Sequence, residues 1–143
     1  EVYRGSLEMY AKLHSDSVYI PIHNYPKNAH AIWSIPCDIA FPSATQNELN
    51  LNDAKNLVSN GCILVNEGAN MPTTPDAIEY LTKNGVLFSP AKAANAGGVA
   101  VSQLEMAQNA SMTHWSFAEV ETKLISIMKN IYETSYNTSK EFG

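Results

Sequence analysis

Two stretches rich in glycine, asparagine and other small residues carry most of the chemistry that this sequence can support. They cover residues 67–74 (EGANMPTT) and 95–102 (NAGGVAVS), and each follows an apolar run and leads into a predicted helix. Glycine allows a backbone to approach a flat ligand closely, and the side-chain amides of Asn70 and Asn95 each offer a donor and an acceptor. In an open α/β sheet, nucleotides and substrates bind at such turns, beyond the carboxyl ends of the strands.

The second stretch is the more specific of the two. The amide of Asn95 suits a carboxamide or a ribose hydroxyl, and Gly97 and Gly98 leave room for a ligand. Ser102 lies one helical turn further and can share a face with Val99, where its hydroxyl could donate to a substrate carboxylate. A purely structural interpretation stays open, in which Asn95 caps a helix and the glycines serve packing.

The first stretch and a third segment are open to the same two interpretations. Residues 68–70 either contact a ligand or form a turn that leads to a helix cap at Thr74. Residues 44–47 (ATQN) follow another apolar run and could offer backbone groups to a nucleotide. Each of these signals is weak when it stands alone.

The elements that would position these turns repeat along the chain. A helix, an Asn-Gly pair and an apolar strand occur twice, and Gly61 and Gly85 are expected to end the helices in the left-handed conformation. Strands are predicted at 35–41, 61–65 and 86–88, and helices at 52–59, after Thr74 and after Gly98. A capping box at 116–119 opens a long last helix. The pattern predicts an α/β domain with a mainly parallel, doubly wound Rossmann-like sheet and helices on both faces.

Composition excludes several other classes of protein. The chain has 143 residues, 45% of them hydrophobic, and a net charge of -5, which predicts one globular domain without a basic groove for nucleic acid. No apolar run approaches the roughly 18 residues of a membrane span. The histidines are dispersed, so no metal site is predicted. Cys37 and Cys62 are expected to be buried free thiols, which suits a reducing compartment.

Five motifs in succession make the sequence resemble the glutamate dehydrogenases, in particular the second half of the coenzyme-binding domain of the hexameric, NADP-preferring enzymes. The resemblance extends from about residue 33 to residue 132. The motifs lie at 36–42 (PCDIAFP), 44–48 (ATQNE), 67–74 (EGANMPTT), 92–99 (KAANAGGV) and 104–109 (LEMAQN).

The resemblance implies reversible oxidative deamination of L-glutamate to 2-oxoglutarate and ammonia, with NADP or NAD as cofactor. It also implies a homohexameric parent, in the cytoplasm or in an organelle if a targeting segment lies upstream. The implied cofactor-binding residues are Ala44, Thr45, Gln46, Asn70 and Asn95, and the implied substrate-binding residues are Gly97, Gly98, Val99 and Ser102. Of the last group, Val99 would line the pocket for the aliphatic stem, and Ser102 would bind the distal carboxylate.

The sequence also departs from the whole family pattern. No Gly-x-Gly-x-x-Gly turn follows a strand, and the family's catalytic lysine and aspartate belong to a separate domain. Gln103 stands beside Ser102 where the family usually has glycine. Residues 1–143 are therefore expected to be a partial dinucleotide-binding domain that is inactive alone and self-associates through its incomplete sheet. A non-catalytic nucleotide-binding or assembly module, and a dehydrogenase for an apolar amino acid, stay as alternatives; Ser102 discriminates against the latter.

Overall fold

The architecture comes from a computed structural model, which describes residues 5–142. Residue 143 and the first four residues of the predicted 1–143 domain lie outside the described part. The helices and strands are α1 (Leu7–Leu13), β1 (Ile39–Ala40), α2 (Leu51–Ser59), β2 (Leu64–Asn66), α3 (Pro75–Lys83), β3 (Leu87–Ser89), α4 (Ala91–Ala94), α5 (Ala96–Ala110) and α6 (Phe117–Phe142). Two short 3₁₀ helices, Ile22–Asn24 and Ala31–Ser34, precede β1. No helix of the described residues is long and apolar enough to cross a membrane.

The three strands form one parallel sheet in the order β1-β2-β3, which confirms the predicted α/β class. All three strands begin later than predicted, and β1 and β2 are also shorter than predicted, because regular pairing requires a neighbour in register. Ile39 pairs with Leu64, and Leu64 pairs with Leu87. The sheet is therefore narrow, and the carboxyl ends of its three strands lie at the same edge.

The helix boundaries follow local capping. Asn50, not Asn52, is the N-cap of α2: its side chain accepts from the amides of Asn52 and Asp53, and Asp53 in return accepts from the Asn50 amide. This reciprocal capping box explains the earlier start. Gly61 and Gly85 follow α2 and α3 with φ of 83° and 78°, as expected for left-handed helix ends.

The glycine pair lies inside a helix rather than before it. α5 begins at Ala96, so Gly97 and Gly98 belong to its first turn, and the one-turn helix α4 precedes it. The helix that was predicted to follow Gly98 therefore begins before the glycine pair, at Ala96. The predicted capping box of α6 is confirmed, with the Ser116 amide donating to the Glu119 carboxylate at 2.7 Å.

One face of the sheet, here called the closed face, is covered by α2 and α3. The core gathers side chains from the sheet, from both helices and from the segments beside them: Trp33, Ala40, Leu49, Ala54, Leu57, Cys62, Val65, Ala77, Leu81 and Val86. Because parallel crossovers are right-handed and the order β1-β2-β3 never reverses, both helices fall on the same face. The described strands thus contain no reversal of the kind that defines a doubly wound sheet.

The opposite face, here called the open face, is marked by Ile39, Phe41 and Leu87, which are 43%, 58% and 69% exposed. α6 covers only its carboxyl end, where Met128 and Ile131 line a cavity of about 230 Å³. The expectation of helices on both faces therefore holds only at that end.

Before β1, the chain is held to the closed side by one buried carboxylate. Asp53 in α2 is fully buried and accepts from the His30 amide at 2.6 Å and from His30 Nδ1 at 2.8 Å. Further upstream, α1 forms with Ser6 as its cap, but it buries none of its residues.

Candidate functional site

Three loops meet at the carboxyl end of the sheet, one after each strand. They enclose an open cavity of about 570 Å³. Its lining comes from residues 43–46 after β1, 68–70 after β2, and the start of α5: Ser43, Ala44, Thr45, Gln46, Gly68, Ala69, Asn70, Asn95, Gly98 and Val99. This is the place where open α/β sheets bind ligands.

The middle loop is fixed to the loop after β1. The amides of Gly68 and Ala69 both donate to the Pro42 carbonyl, at 2.9 and 3.0 Å. A Cβ on Gly68 would collide with Ser43 Oγ and lie 3.0 Å from Ser43 Cβ, so a larger residue at position 68 requires the Ser43 side chain to move. The floor of the cavity is thus built from backbone that packs against backbone.

The middle loop is also fixed to the segment after β3 by an amide pair. Asn95 Nδ2 donates to the Ala69 carbonyl at 3.2 Å and to Asn70 Oδ1 at 2.8 Å. The Ala69 carbonyl can only accept, so Asn95 must present its nitrogen, and Asn70 must then present its oxygen. Within residues 5–142, Asn95 Oδ1 and Asn70 Nδ2 have no hydrogen-bond partner. One acceptor and one donor therefore stand side by side at the cavity.

A second pocket of about 410 Å³ adjoins the first and shares Asn70, Asn95 and Val99 with it. Its remaining lining is Met71, Ala91, Lys92 and Ala96. Met71 adopts φ of 50°, a left-handed backbone that is unusual for a side chain of this size. Lys92 is the one ionisable side chain among the described residues that line the two pockets.

The structure brings seven of the nine predicted site residues into the first cavity: Ala44, Thr45, Gln46, Asn70, Asn95, Gly98 and Val99. It does not place the other two there. The Cα of Gly97 faces α6, where an added Cβ would lie 3.8 Å from Met128 Sδ. Ser102 is exposed on α5, about one turn beyond the lining residues.

Sequence reasoning did not single out Ser43 as a lining residue. Its position directly after Pro42, in the loop that follows β1, is the signal that could have found it. Glu67, by contrast, is the charged residue of the stretch 67–74, but its side chain is only 4% exposed and does not line either pocket.

The fold is that of an open, parallel α/β sheet, and the cavity lies at the carboxyl ends of its strands. The sequence matches the profile of the Glutamate/Leucine/Phenylalanine/Valine dehydrogenases over residues 3–143, and the chain belongs to that family. It is 54% identical over 142 residues to the NADP-specific glutamate dehydrogenase of Helicobacter pylori strain J99, covering 99% of this chain. It is 56% identical over 100 residues to the NADP-specific glutamate dehydrogenase of Escherichia coli K12, covering 70% of this chain and 22% of that protein.

Solved structures agree with the sequence matches. A Plasmodium falciparum glutamate dehydrogenase superposes with a TM-score of 0.81 at 45% identity, covering 96% of this chain and 29% of that one. The chain also covers only 32% of the Helicobacter pylori protein. It therefore spans about a third of the length of these relatives.

Proposed function

We propose that this chain is the carboxyl-terminal part of the coenzyme-binding domain of an NADP-dependent glutamate dehydrogenase. The whole enzyme would interconvert L-glutamate with 2-oxoglutarate and ammonia. The observation that carries the proposal is the amide pair Asn70–Asn95, which lines the cavity and leaves one donor and one acceptor without a partner among the described residues. A primary carboxamide, such as that of nicotinamide, offers the complementary acceptor and donor.

The remaining lining fits the same group. Residues 44–46 would lie against the ribose and adenosine side, where backbone and small side chains leave room for flat rings. Gly98 and Val99 would face the substrate's aliphatic stem. When bound, NADP supplies the hydride acceptor, and the protein holds the reacting carbons in line.

The lining lacks the groups for proton transfer, apart from Lys92 at the second pocket. Oxidative deamination would pass the α-hydrogen of the amino acid to NADP as hydride. The accompanying proton transfers, at the amino nitrogen and at the attacking water, need a positioned acid or base, and the family resemblance places those groups in another domain. We therefore expect the isolated chain to bind NADP weakly and to show no glutamate-dependent reduction of it. Turnover by the isolated chain would overturn this part of the proposal.

A chimera tests the activity directly. These residues replace the matched segment of the Helicobacter pylori enzyme, to which they are 54% identical. We expect the chimera to reduce NADP in the presence of glutamate. A chimera with the same circular-dichroism spectrum and melting temperature as the parent enzyme, but without such activity, would count against the proposal.

Ser102 tests the substrate class in the same chimera. Its exposed hydroxyl, one turn beyond Val99, is available to a carboxylate. Ser102→Ala should lower kcat/KM for glutamate by an amount equivalent to about 1–3 kcal/mol, since it removes one hydrogen bond to a charged group. It should leave the NADP dissociation constant unchanged. Ser139→Ala, on the far end of α6, is the matched control. Unchanged steady-state kinetics with Ser102→Ala would favour a dehydrogenase for an apolar amino acid.

We propose further that the isolated chain self-associates through the open face and the unpaired edge of β1. Exposed apolar side chains on a sheet with a free edge invite pairing with another chain. Light scattering should give a dimer or larger species for the wild type and a monomer for Leu87→Lys. A wild type that stays monomeric at high concentration would refute this proposal. The hexameric assembly and the cellular compartment of the parent stay predictions.

A further inference from the structure

We infer that Glu67 is a positioning residue that sets the spacing of the Asn70–Asn95 amide pair. The inference rests on the proposed function for its catalytic consequence, but its geometry stands without it. Glu67 is the first residue after β2 and is 4% exposed. It touches neither pocket, so any effect on a ligand must pass through the residues that it holds.

Both oxygens of this carboxylate are occupied by backbone amides from different segments. Oε1 accepts from the Thr73 amide at 3.2 Å, and Oε2 accepts from the Ala91 amide at 2.8 Å. The backbone of Glu67 adds a third link, because its amide donates to the Ser89 carbonyl at 3.1 Å. Among the described residues, no lysine, arginine or histidine forms a salt bridge with it.

These bonds connect the segment that carries Asn70 with the segment that carries Asn95. The bond to Thr73 closes the loop that carries Ala69 and Asn70, since it joins the residue before that loop to the residue after it. The bond to Ala91 holds the first residue of α4, which leads directly to Asn95. The 2.8 Å contact between Asn95 and Asn70 therefore joins two segments that the Glu67 carboxylate also joins.

A carboxylate is needed for this link, not merely a side chain of the same size. An ionised carboxylate is an acceptor at both oxygens, whereas a glutamine amide has one acceptor and would direct its NH₂ group at one of the two amides. An apolar residue of the same size would fill the space but would leave the buried Thr73 and Ala91 amides without an acceptor. A role in simple packing does not account for the charge.

The test uses Glu67→Gln in the chimera described above, with Asp53→Asn as the matched control. Asp53 is also a buried carboxylate that accepts backbone amides, but its partners are His30 and Asn50, so it holds neither segment of the amide pair. We expect Glu67→Gln to lower kcat/KM for glutamate by about 10- to 100-fold, because small misplacements in a site have effects of this order. Asp53→Asn should lower the melting temperature and leave kcat/KM near the wild-type value.

A double-variant cycle separates positioning from general destabilisation. If Glu67 acts through Asn95, then Glu67→Gln combined with Asn95→Ala should lose less activity than the product of the two single losses, by about tenfold. Simple multiplication of the two losses would overturn the inference. Glu67→Asp, which keeps the charge but is too short to span both amides, serves as the second variant if Glu67→Gln does not fold.

A measurement on the isolated chain makes the inference independent of activity. In the NMR spectrum, Glu67→Gln should shift the side-chain amide resonances of Asn70 and Asn95, and Asp53→Asn should leave them in place. Unchanged resonances in Glu67→Gln would overturn the inference. If the wild-type chimera is folded but inactive, the proposed function fails, and these resonances alone decide the role of Glu67.

Discussion

The two faces of the sheet carry the same kinds of residue but differ in what covers them. On the closed face, Val65 in β2 and Leu81 in α3 have no exposed surface. On the open face, Leu87 in β3 is 69% exposed. The difference follows from chain order, because both crossovers within this segment return on the same side. An apolar strand residue therefore becomes core only where the local connection places a helix over it.

The largest difference between the two faces is expected when one leucine on each of them is replaced by alanine. Leu81→Ala should lower the free energy of unfolding by about 2–5 kcal/mol, because it leaves a cavity in a packed core. Leu87→Ala should change it by less than about 0.5 kcal/mol, as for other exposed positions. Urea unfolding at low protein concentration measures both. Equal losses would mean that the open face is covered in solution.

A smaller effect is expected from the carboxylate that anchors the segment before β1 to the closed face. Asp53→Asn should cost about 1–3 kcal/mol, because it weakens the bonds to His30 and to the Asn50 amide in a buried place. Asp76→Asn, at an exposed position in the first turn of α3, provides the control and should cost less. If the two substitutions cost the same in thermal unfolding, the anchor contributes no more than an ordinary helix cap.

The smallest effect concerns the two thiols. Cys62 is buried in the closed core and Cys37 is half-buried, and both are free, as predicted. Burial, the neighbouring Cys62 and then Asp38 raise the pKa of the Cys37 thiol. Since the thiolate is the reactive form, Cys37 should react with a thiol reagent more slowly than a cysteine peptide at neutral pH, and the rate should keep rising at higher pH.

Cys62 should react only after unfolding, so a reagent should find one accessible thiol in the native chain and two in urea. Cys37→Ser removes the native reaction and serves as the control. Two thiols that react at the same rate under native conditions would contradict the difference in burial.

Local signals predicted correctly where helices α2 and α3 end. Gly61 and Gly85 end their helices as their Asn-Gly contexts indicate, because only the backbone next to them decides that conformation. α2 was predicted from Asn52, whereas its N-cap is Asn50, because the Asp53 side chain reaches back to the Asn50 amide. That choice is still local, but it needs side-chain geometry that a pattern does not contain.

Features that depend on contacts between distant parts of the chain could be predicted only in part. The placement of α2 and α3 on one face depends on strand order, which no residue encodes by itself. The grouping of seven site residues in one cavity was predictable, since parallel strands bring their following loops together. The bonds of Glu67 to Thr73 and Ala91 were not, because they join positions that only the folded sheet makes neighbours.

The contact between Gly68 and Ser43 has a consequence for how this surface can vary. No larger residue fits at position 68 unless the Ser43 side chain moves, and position 43 contributes directly to the cavity wall. The two positions must therefore change together: a saturation library at position 68 alone should return glycine almost exclusively, whereas a library that also varies position 43 should recover alanine at 68 with glycine at 43. The width of the cleft is in this sense a property shared by two loops, and neither can be redesigned alone.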